Sequence, residues 1–312
     1  MARTTRRGFL QSAPLAVGAA AVGAAEFAGL RNAAAVEPPA RKAPASGVRY
    51  KIGLAAYSFR KFLDRKVAAP NRWTLFDFLE KAAEVGADGV ELTEYYFEKP
   101  VAVATLSALK RKAHLLGLDI IGSPIGNVFT HPAGEARDQQ IKHVADWLDV
   151  SADLGSPCVR IFAGNTPKGL TDEQARKNVV ECIETLCPHA EKRGVMLALE
   201  NHGGVVATAE GLLEIVKAVK CPWLGVNLDG GNFRTEDPYA DLAKVAPYAI
   251  TVQYKVEIFP GGRKPGVPAD AGKVAGILRE AGYRGWVALE YESADDPLVA
   301  VPKHLADMRK VF

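Results

Sequence analysis

The stretch Leu197-Ala198-Leu199-Glu200-Asn201-His202-Gly203-Gly204 decides the fold of this chain. Val195 to Ala198 are all apolar or small, which is typical of a buried strand. The strand then ends abruptly in a carboxylate, an amide and an imidazole, and two glycines turn the chain away. A buried strand with such an ending is typical of a parallel sheet whose carboxyl edge carries a ligand site.

Three later segments repeat this pattern of an apolar run that ends in polar side chains: Gly225–Asn232 (GVNLDGGN), Thr251–Lys255 (TVQYK) and Trp286–Glu292 (WVALEYE). From Tyr50 onward such runs alternate with amphipathic stretches. The predicted strands are Lys51–Ala56, Asp88–Thr93, Leu118–Gly122, Pro157–Phe162, Val195–Glu200, Trp223–Asp229, Tyr248–Lys255 and Trp286–Glu290. The predicted helices are Thr74–Gly86, Val101–Gly117, Gly134–Leu154, Thr171–Gly194, Thr208–Val219, Pro238–Val245, Asp270–Gly282 and Pro297–Val311.

Repeated strand–helix units of about 30 residues predict a single α/β domain with the architecture of a (β/α)8 TIM barrel. A doubly wound open sheet is the alternative. The sequence argues against it, because no Gly-x-Gly-x-x-Gly follows the first strand and no phosphate-binding loop is present.

The N-terminal segment has the composition of an export signal. Thr5-Arg6-Arg7-Gly8-Phe9-Leu10-Gln11 is a twin-arginine pattern, a weakly apolar stretch follows, and Ala33-Ala34-Ala35 offers a cleavage site. We therefore predict a twin-arginine (Tat) signal peptide at residues 1–35, a Pro- and Ala-rich linker at 36–47 and the barrel at 48–312. The expected location is the periplasm or another exported site, and a disordered basic leader is the alternative.

The charge balance argues against a nucleic-acid partner. The chain of 312 residues has a formal net charge of +3, but residues 1–35 hold four Arg and one Glu, so 35 basic and 35 acidic residues remain. Nucleic-acid-binding domains have a clustered excess of Lys and Arg instead. We also expect no stable membrane anchor, since no apolar run approaches the roughly 20 residues of a membrane helix. Association into a homo-oligomer is left open.

The cysteines do not form a metal or redox motif, because no C-x-x-C is present. Cys158, Cys182, Cys187 and Cys221 are separated along the chain. A protein of this length does not need disulfides to fold, so we expect buried free thiols, although an oxidising compartment would allow bridges.

The carboxyl ends of the barrel strands open on one face, and that face carries chemistry in TIM barrels. Glu200, Asp229, Gln253 and Glu290 stand at the ends of strands five to eight and form an all-oxygen ligand set. Such donors suit Mg²⁺, Mn²⁺ or Co²⁺ better than a tetrahedral Zn²⁺ site. We predict one divalent metal ion there, bound to a small carbohydrate substrate through adjacent oxygens.

A divalent ion bound by a carbonyl and its neighbouring hydroxyl lowers the energy of an enediolate. Glu200 and Glu290, on strands five and eight, are expected to lie across the ion and to move a proton as a catalytic acid/base pair. The predicted substrate-binding residues are Tyr57, Glu91, Arg160, His202, Asn232 and Lys255.

Structural roles compete with several of these assignments. Tyr57 could pack in the core, Arg160 could pair with Glu91, and Lys255 could pair with Glu257. His202 could pack or support a neighbouring site residue. We also expect the Gly203-Gly204 turn to provide clearance for a ligand above the barrel mouth.

Five motifs together resemble the sugar phosphate isomerase/epimerase family, whose members have the xylose isomerase-like TIM barrel. They are Tyr57-Ser58-Phe59, Gly89-Val90-Glu91, Glu200-Asn201-His202-Gly203-Gly204, Asn227-Leu228-Asp229-Gly230-Gly231-Asn232 and Leu289-Glu290-Tyr291-Glu292. The resemblance extends from about residue 50 to the end. It implies that Glu200, Asp229, Gln253 and Glu290 occupy the family's metal-ligand positions, with the two glutamates as the acid/base pair.

The family includes ketose 3-epimerases, hydroxypyruvate isomerase and inosose dehydratase. Ketose 3-epimerases have His where Gln253 stands and a substrate His where Asn232 stands, whereas the hydroxypyruvate isomerase branch uses Gln. The resemblance therefore implies a metal-dependent isomerase or epimerase of a keto-sugar or polyol derivative, rather than a free-ketose 3-epimerase.

Three other functions are considered. One is a lyase or dehydratase acting on a keto-sugar or 3-keto-glycoside at the same site, and another is a non-catalytic exported sugar-binding protein. The third, an apurinic endonuclease on the same fold, would need a His-rich metal cluster and a basic groove, but the six His residues of this chain are scattered.

Overall fold

The computed structural model of the chain describes residues 36–38, 41, 49–69 and 71–312. Its strands are β1 (Lys51–Ala55), β2 (Gly89–Glu91), β3 (Asp119–Gly122), β4 (Cys158–Ile161), β5 (Met196–Glu200), β6 (Leu224–Asp229), β7 (Ala249–Tyr254), β8 (Glu257–Ile258), β9 (Val267–Pro268) and β10 (Trp286–Leu289). Eight of them form one parallel sheet in the order β3-β2-β1-β10-β7-β6-β5-β4. Strands β8 and β9 form a separate antiparallel hairpin, so β10 is the eighth strand of the large sheet.

The large sheet closes on itself just beyond the end of β3. Ser123 N donates a hydrogen bond to Cys158 O at 3.1 Å, and Ile125 N donates to Arg160 O at 3.1 Å. These bonds join the two outer strands of the order, whereas a doubly wound sheet keeps two free edges. The predicted (β/α)8 barrel is therefore confirmed. The β8–β9 hairpin was not predicted, because two-residue strands carry no periodicity.

Helices cover the outside of the barrel, and each predicted helix is present. They are α1 (Arg60–Leu63), α2 (Leu75–Glu84), α3 (Val103–Leu115), α4 (Glu135–Leu154), α5 (Asp172–Arg193), α6 (Ala209–Ala218), α7 (Pro238–Val245), α8 (Ala271–Glu280) and α9 (Pro297–Val311). The start of α5 is fixed by a capping box, in which Thr171 and Gln174 each accept the other's backbone N–H. Its end is fixed by Gly194, whose φ of 65° favours glycine.

The floor beneath the barrel mouth is close-packed around Ile121 of β3. A Cβ atom at Gly53 would lie 2.4 Å from Ile121 Cδ1, and one at Gly89 would lie 2.6 Å from Ile121 Cγ2. Glycines on β1 and β2 therefore make room for this side chain. The polar strand ends consequently stand on a filled apolar layer rather than on a channel.

Two buried asparagines extend the strand pairing at the carboxyl ends. Asn201, after β5, donates to Asp229 O at 3.0 Å and accepts from Asp229 N at 2.8 Å. Asn127 contacts the backbone of Phe162 in the same way, with both distances at 2.8 Å. Each side chain thus acts as one more rung of the ladder and fixes the backbone of a residue at the barrel mouth.

One expectation about the cysteines is wrong. Cys187 on α5 and Cys221 before β6 form a disulfide with a Cα–Cα distance of 5.8 Å. Both side chains are buried, and α5 packs beside α6, which brings residues 34 positions apart into contact. Cys158 and Cys182 are buried free thiols, as expected.

The described part of the predicted linker lies against the barrel. Val36 N donates to Val219 O at 3.2 Å, and an Arg41 guanidinium nitrogen donates to Ala249 O at 2.5 Å. Ala249 begins β7, so this contact lies at the amino-terminal end of the barrel. The predicted signal peptide and its cleavage site lie outside the described residues and stay predictions. None of the helices in the described ranges is long and apolar enough to cross a membrane.

We expect Asn201→Ala to lower the free energy of unfolding by about 2–4 kcal/mol, because two buried backbone groups of Asp229 lose their partner. Denaturant unfolding monitored by circular dichroism would measure this. Asn71→Ala, at an exposed position, is the matched control and should change stability by less than about 0.5 kcal/mol. Equal stability of the two variants would contradict the structural role of Asn201.

We expect the double variant Cys187→Ala/Cys221→Ala to lose about 3–4 kcal/mol of stability, because the bridge closes a loop of 34 residues in the unfolded chain. Equilibrium unfolding of the wild type with and without reductant should show the same difference. The double variant is its own control, since reductant should leave its stability unchanged. Wild-type stability that does not respond to reductant would argue against the disulfide.

Candidate active site

A cavity of about 190 Å³ lies at the carboxyl ends of the strands. Its lining residues are Tyr57, Tyr95, Arg160, Phe162, Glu200, His202, Lys255, Glu290 and Glu292. Six of the predicted site residues are in this list. A larger cavity of about 330 Å³ lies between the starts of α2 and α3, with mainly apolar walls that include Trp73 and Phe97. We assign the chemistry to the smaller cavity, because its walls carry the buried carboxylates.

Glu200 is held by a buried arginine. Arg160 Nε lies 2.9 Å from Glu200 Oε2, and another guanidinium nitrogen of Arg160 donates to Ile125 O at 2.9 Å. The guanidinium carbon also lies 3.9 Å from the centre of the Phe162 ring. The alternative that Arg160 pairs with Glu91 is therefore wrong. Arg160 fixes one acid of the predicted pair.

Two asparagines of the β6 segment complete the contacts of Glu200. Asn232 Nδ2 donates to Oε1 at 2.9 Å, and Asn227 Nδ2 lies 3.3 Å from Oε2. Burial raises the pKa of Glu200 to about 7, against the opposing charge of Arg160. Asn232 thus contacts the carboxylate and is not among the residues that line the cavity.

Lys255 lies among three carboxylates. Its Nζ is 2.5 Å from Glu290 Oε2, 2.9 Å from Glu292 Oε2 and 3.2 Å from Asp229 Oδ2. Burial by itself would lower the pKa of Lys255, but these carboxylates raise it well above the usual value. Burial likewise acts to raise the pKa of Glu290, yet the Lys255 and Arg160 charges hold it below the usual range. The predicted alternative partner, Glu257, is not the partner of Lys255.

Strand register explains these contacts. Asp229 pairs with Gln253 across β6 and β7, and Leu289 pairs with Tyr254 across β10 and β7. The residues that follow the second pair are Glu290 and Lys255, which therefore stand side by side at the barrel mouth.

Gln253 belongs to a chain of buried hydrogen bonds. Its Nε2 donates to Glu91 Oε2 at 2.7 Å, and its Oε1 accepts from Asn227 Nδ2 at 2.7 Å. Asn227 Nδ2 in turn lies 3.3 Å from Glu200 Oε2, so carboxyl groups stand at both ends of this chain. Burial raises the pKa of Glu91 to about 8. Glu91 lies beneath the cavity and contacts Gln253 rather than the cavity space.

The predicted metal ligands meet in this network but do not surround one point. Within the described ranges, no three His, Cys, Asp or Glu side chains are placed to hold a metal ion as they stand. The donor set nevertheless fits a hard cation, because all four side chains offer buried oxygens. Asp229 Oδ2 is buried, accepts no hydrogen bond from the described residues, and faces the Lys255 ammonium. We call the point between Asp229 and Glu290 the cation position.

His202 and three unpredicted residues complete the walls of the cavity. The His202 ring lies 4.3 Å from the Phe162 ring, and burial lowers the pKa of His202, so its imidazole is neutral at neutral pH. Tyr95, Phe162 and Glu292 were not predicted as binding residues; Phe162 was placed at the end of a predicted strand, and the structure puts all three beyond the strand ends. The i, i+2 spacing of Glu290 and Glu292 was the available signal for the last of these.

The expected role of the Gly203-Gly204 turn is wrong for Gly204. A Cβ atom at Gly204 would lie 2.2 Å from Gly164 O, and Val205 N donates to that same oxygen at 3.2 Å. The absence of a side chain therefore lets the β5 loop pack against the β4 loop. Both glycines also have positive φ angles, 66° and 54°. The space that Gly204 leaves free is therefore taken by the β4 loop and not by a ligand.

This chain is similar in sequence or in structure to several known proteins. It is 28% identical, over 182 residues, to 3-oxo-isoapionate decarboxylase of Pectobacterium atrosepticum, and the match spans 58% of either protein. The structure of 3-keto-D-glucoside 4-epimerase YcjR from E. coli is similar, with TM-score 0.67, 17% identity and coverage of 84% of this chain and 100% of that one. The IolI protein with a bound zinc atom gives TM-score 0.65, 20% identity and coverage of 84% and 96%.

These structural likenesses show a shared fold. The family model described as the xylose isomerase-like TIM barrel matches residues 79–310, which include seven of the eight barrel strands and the predicted site from Glu91 onward. This protein therefore belongs to the xylose isomerase-like TIM-barrel family.

Proposed function

We propose that this protein is a divalent-metal-dependent isomerase or epimerase of a keto-sugar or polyol derivative. The observation that carries this proposal is the placement of Glu200 and Glu290 in the walls of one small polar cavity. Both are buried, and β6 and β7 separate their strands. A substrate between them would have one carboxylate on either side.

In the proposed reaction, one of these carboxylates takes a proton from the carbon beside the substrate carbonyl, which gives an enediolate. The other returns a proton to the neighbouring carbon or to the opposite face. Arg160 and Lys255 hold the two carboxylates in place, and the neutral His202 imidazole and the Tyr57 hydroxyl can bind substrate oxygens. Asn232 would orient Glu200, and Glu91 would orient Gln253, without contacting the substrate themselves.

A divalent ion, Mg²⁺, Mn²⁺ or Co²⁺, would be held by Glu200, Asp229, Gln253 and Glu290 in this proposal. When bound, it would stabilise the negative charge that develops on neighbouring substrate oxygens. The all-oxygen donor set and the cation position between Asp229 and Glu290 support this assignment. The zinc atom in the IolI structure supports metal binding within similar folds.

A lyase is the second candidate, and a specific observation favours it. A relative of this chain is a 3-oxo-isoapionate decarboxylase, a name that indicates loss of carbon dioxide from a 3-oxo acid. Loss of carbon dioxide from a 3-oxo acid leaves its electron pair on the carbon beside the keto group and gives the same kind of enolate as loss of a proton, whereas loss of water would follow proton removal, with hydroxide leaving from the enolate. Glu200 and Glu290 could then serve an isomerase or epimerase reaction as well as a lyase reaction.

We also propose that the protein is exported through the Tat pathway. The twin-arginine pattern at Arg6-Arg7 and the Cys187–Cys221 disulfide support this location, because disulfides persist in oxidising compartments.

We expect a panel of keto-sugars incubated with the enzyme in deuterated water to acquire deuterium at one carbon, and we expect chelator to abolish this exchange and Mn²⁺ to restore it. Glu290→Gln and Glu200→Gln should each lower the exchange rate by about 10²–10⁴-fold, since each removes an acid/base group. Glu280→Gln, at an exposed position on α8, is the matched control. Mass spectrometry reports both deuterium uptake and product mass.

The product mass separates the two candidates. An unchanged substrate mass apart from deuterium supports an isomerase or epimerase, and loss of carbon dioxide or water supports a lyase. Undiminished turnover in protein shown to be free of metal, or in Glu290→Gln, would overturn the proposed mechanism.

We expect Arg6→Lys/Arg7→Lys to retain the full-length precursor in the cytoplasm, whereas the wild type is exported and processed to begin near Val36. Fractionation followed by intact-mass measurement would show this. Arg31→Lys, which changes an arginine outside the motif, should be exported normally. Equal export of both variants would argue against the Tat pathway.

A further inference from the structure

The Lys255 ammonium already occupies the cation position. Its three carboxylate partners belong to Asp229, Glu290 and Glu292, and only 8% of the lysine side chain is exposed. Asp229 and Glu290 are also two of the residues proposed to bind a divalent ion. One buried point between them cannot hold an ammonium and a metal ion together, because two positive charges in contact repel strongly in a low-dielectric interior.

The sequence provides room for this lysine. Gly231 lies in the segment after Asp229, and a Cβ atom there would lie 2.9 Å from Lys255 Cβ and 3.0 Å from Lys255 Cδ. The aliphatic part of the Lys255 side chain therefore packs directly on Gly231, where a larger residue would clash with it. The second glycine of the Asp229-Gly230-Gly231-Asn232 motif thus leaves room for the lysine stem and for Glu257 O, which would lie 2.7 Å from the same Cβ atom.

The third partner of Lys255 lies nearer to solvent. The Glu292 side chain is 41% exposed and lines the cavity, whereas Asp229 and Glu290 are buried. The backbone around Glu292 is fixed by Arg60, which donates to Tyr291 O and to Glu292 O, both at 2.8 Å. Lys255 can therefore leave the buried pair and keep one carboxylate partner at the cavity wall.

The charges balance in that second arrangement. One ammonium among three carboxylates leaves two negative charges without a counter-charge. A divalent ion between Asp229 and Glu290 would neutralise that pair, and Lys255 with Glu292 would form a neutral ion pair beside it. Every carboxylate of the cluster then has a positive charge beside it, as buried like charges require.

We propose that Lys255 is a built-in counter-cation that holds Asp229 and Glu290 when no metal is bound and moves toward Glu292 when a divalent ion takes its place. This inference rests on the proposed function for the nature of the ion. It makes Lys255 a positioning residue that keeps the metal ligands in place in the metal-free protein and lowers its affinity for metal. The displaced ammonium then faces the substrate cavity.

The test is the Mn²⁺ affinity of purified, metal-stripped protein, measured by titration calorimetry and by the electron paramagnetic resonance of free Mn²⁺. Lys255→Met and Lys255→Gln should bind Mn²⁺ roughly tenfold more tightly than the wild type, or better, because the competing ammonium is gone. Lys255→Arg, which keeps the charge, should show no such gain. Lys61→Met is the control for loss of one positive charge, since Lys61 contacts the backbone oxygen of Ala294 near the same barrel end.

Thermal unfolding gives a second readout. Without metal, Lys255→Met should unfold at a lower temperature than the wild type, because three carboxylates lose their counter-charge. Saturating Mn²⁺ should then raise its unfolding temperature more than that of the wild type. In the wild type, Mg²⁺ should shift the Lys255 ¹⁵Nζ resonance, an observation that needs no substitution.

The outcomes separate this inference from the proposed function. Metal binding by the wild type with equal affinity in Lys255→Met, or an unchanged ¹⁵Nζ resonance, would overturn the role of Lys255 and leave the metal enzyme standing. Metal binding by Lys255→Met alone would support the role of Lys255 and overturn the metal-dependent function. Absence of metal binding in every variant would overturn both.

Discussion

The structure depends on neutralising a group of carboxylates that the fold buries at one end of the barrel. Glu200, Asp229 and Glu290 are each at most 6% exposed, and all three carry their charge at low cost only if a cation lies close by. Arg160 and Lys255 provide those cations, from neighbouring strands of the same barrel. Arg160 pairs with Glu200, whereas Lys255 is shared by Asp229, Glu290 and Glu292, and the close-packed apolar layer around Ile121 lies beneath them.

Backbone hydrogen bonds at the strand ends hold this charge cluster in register. Asn201 fixes the backbone of Asp229, and Asn127 fixes the backbone of Phe162, on which the Arg160 guanidinium packs. The chain from Glu91 through Gln253 and Asn227 to Glu200 then crosses the barrel from β2 to β5. In this chain Gln253 donates its amide N–H to Glu91 and presents its oxygen to the Asn227 amide.

The sequence predicted the elements of this arrangement better than their partners. Apolar periodicity located the strands, and the polar residues at the carboxyl ends of β5, β6, β7 and β10 identified one face as the site. The partners of Arg160 and Lys255 were not predictable, because periodicity does not state which neighbouring strand a long side chain reaches. The disulfide and the packing of Gly204 on Gly164 depend likewise on contacts between elements that are distant in sequence.

The candidate site takes its carboxylates from strand ends and part of its wall from loops, and this arrangement suggests how one site could serve more than one reaction. The carboxylates that would remove the first proton are held at the strand ends, where neighbouring strands fix their positions. Tyr95, Phe162 and Glu292, by contrast, come from the loops after β2, β4 and β10 and form the cavity wall that a substrate would meet. In the proposed reaction, formation of the enediolate would therefore depend on residues that the barrel strands hold. Whether that intermediate would regain a proton or lose a leaving group would then depend on which substituent the loop residues place beside the second carboxylate.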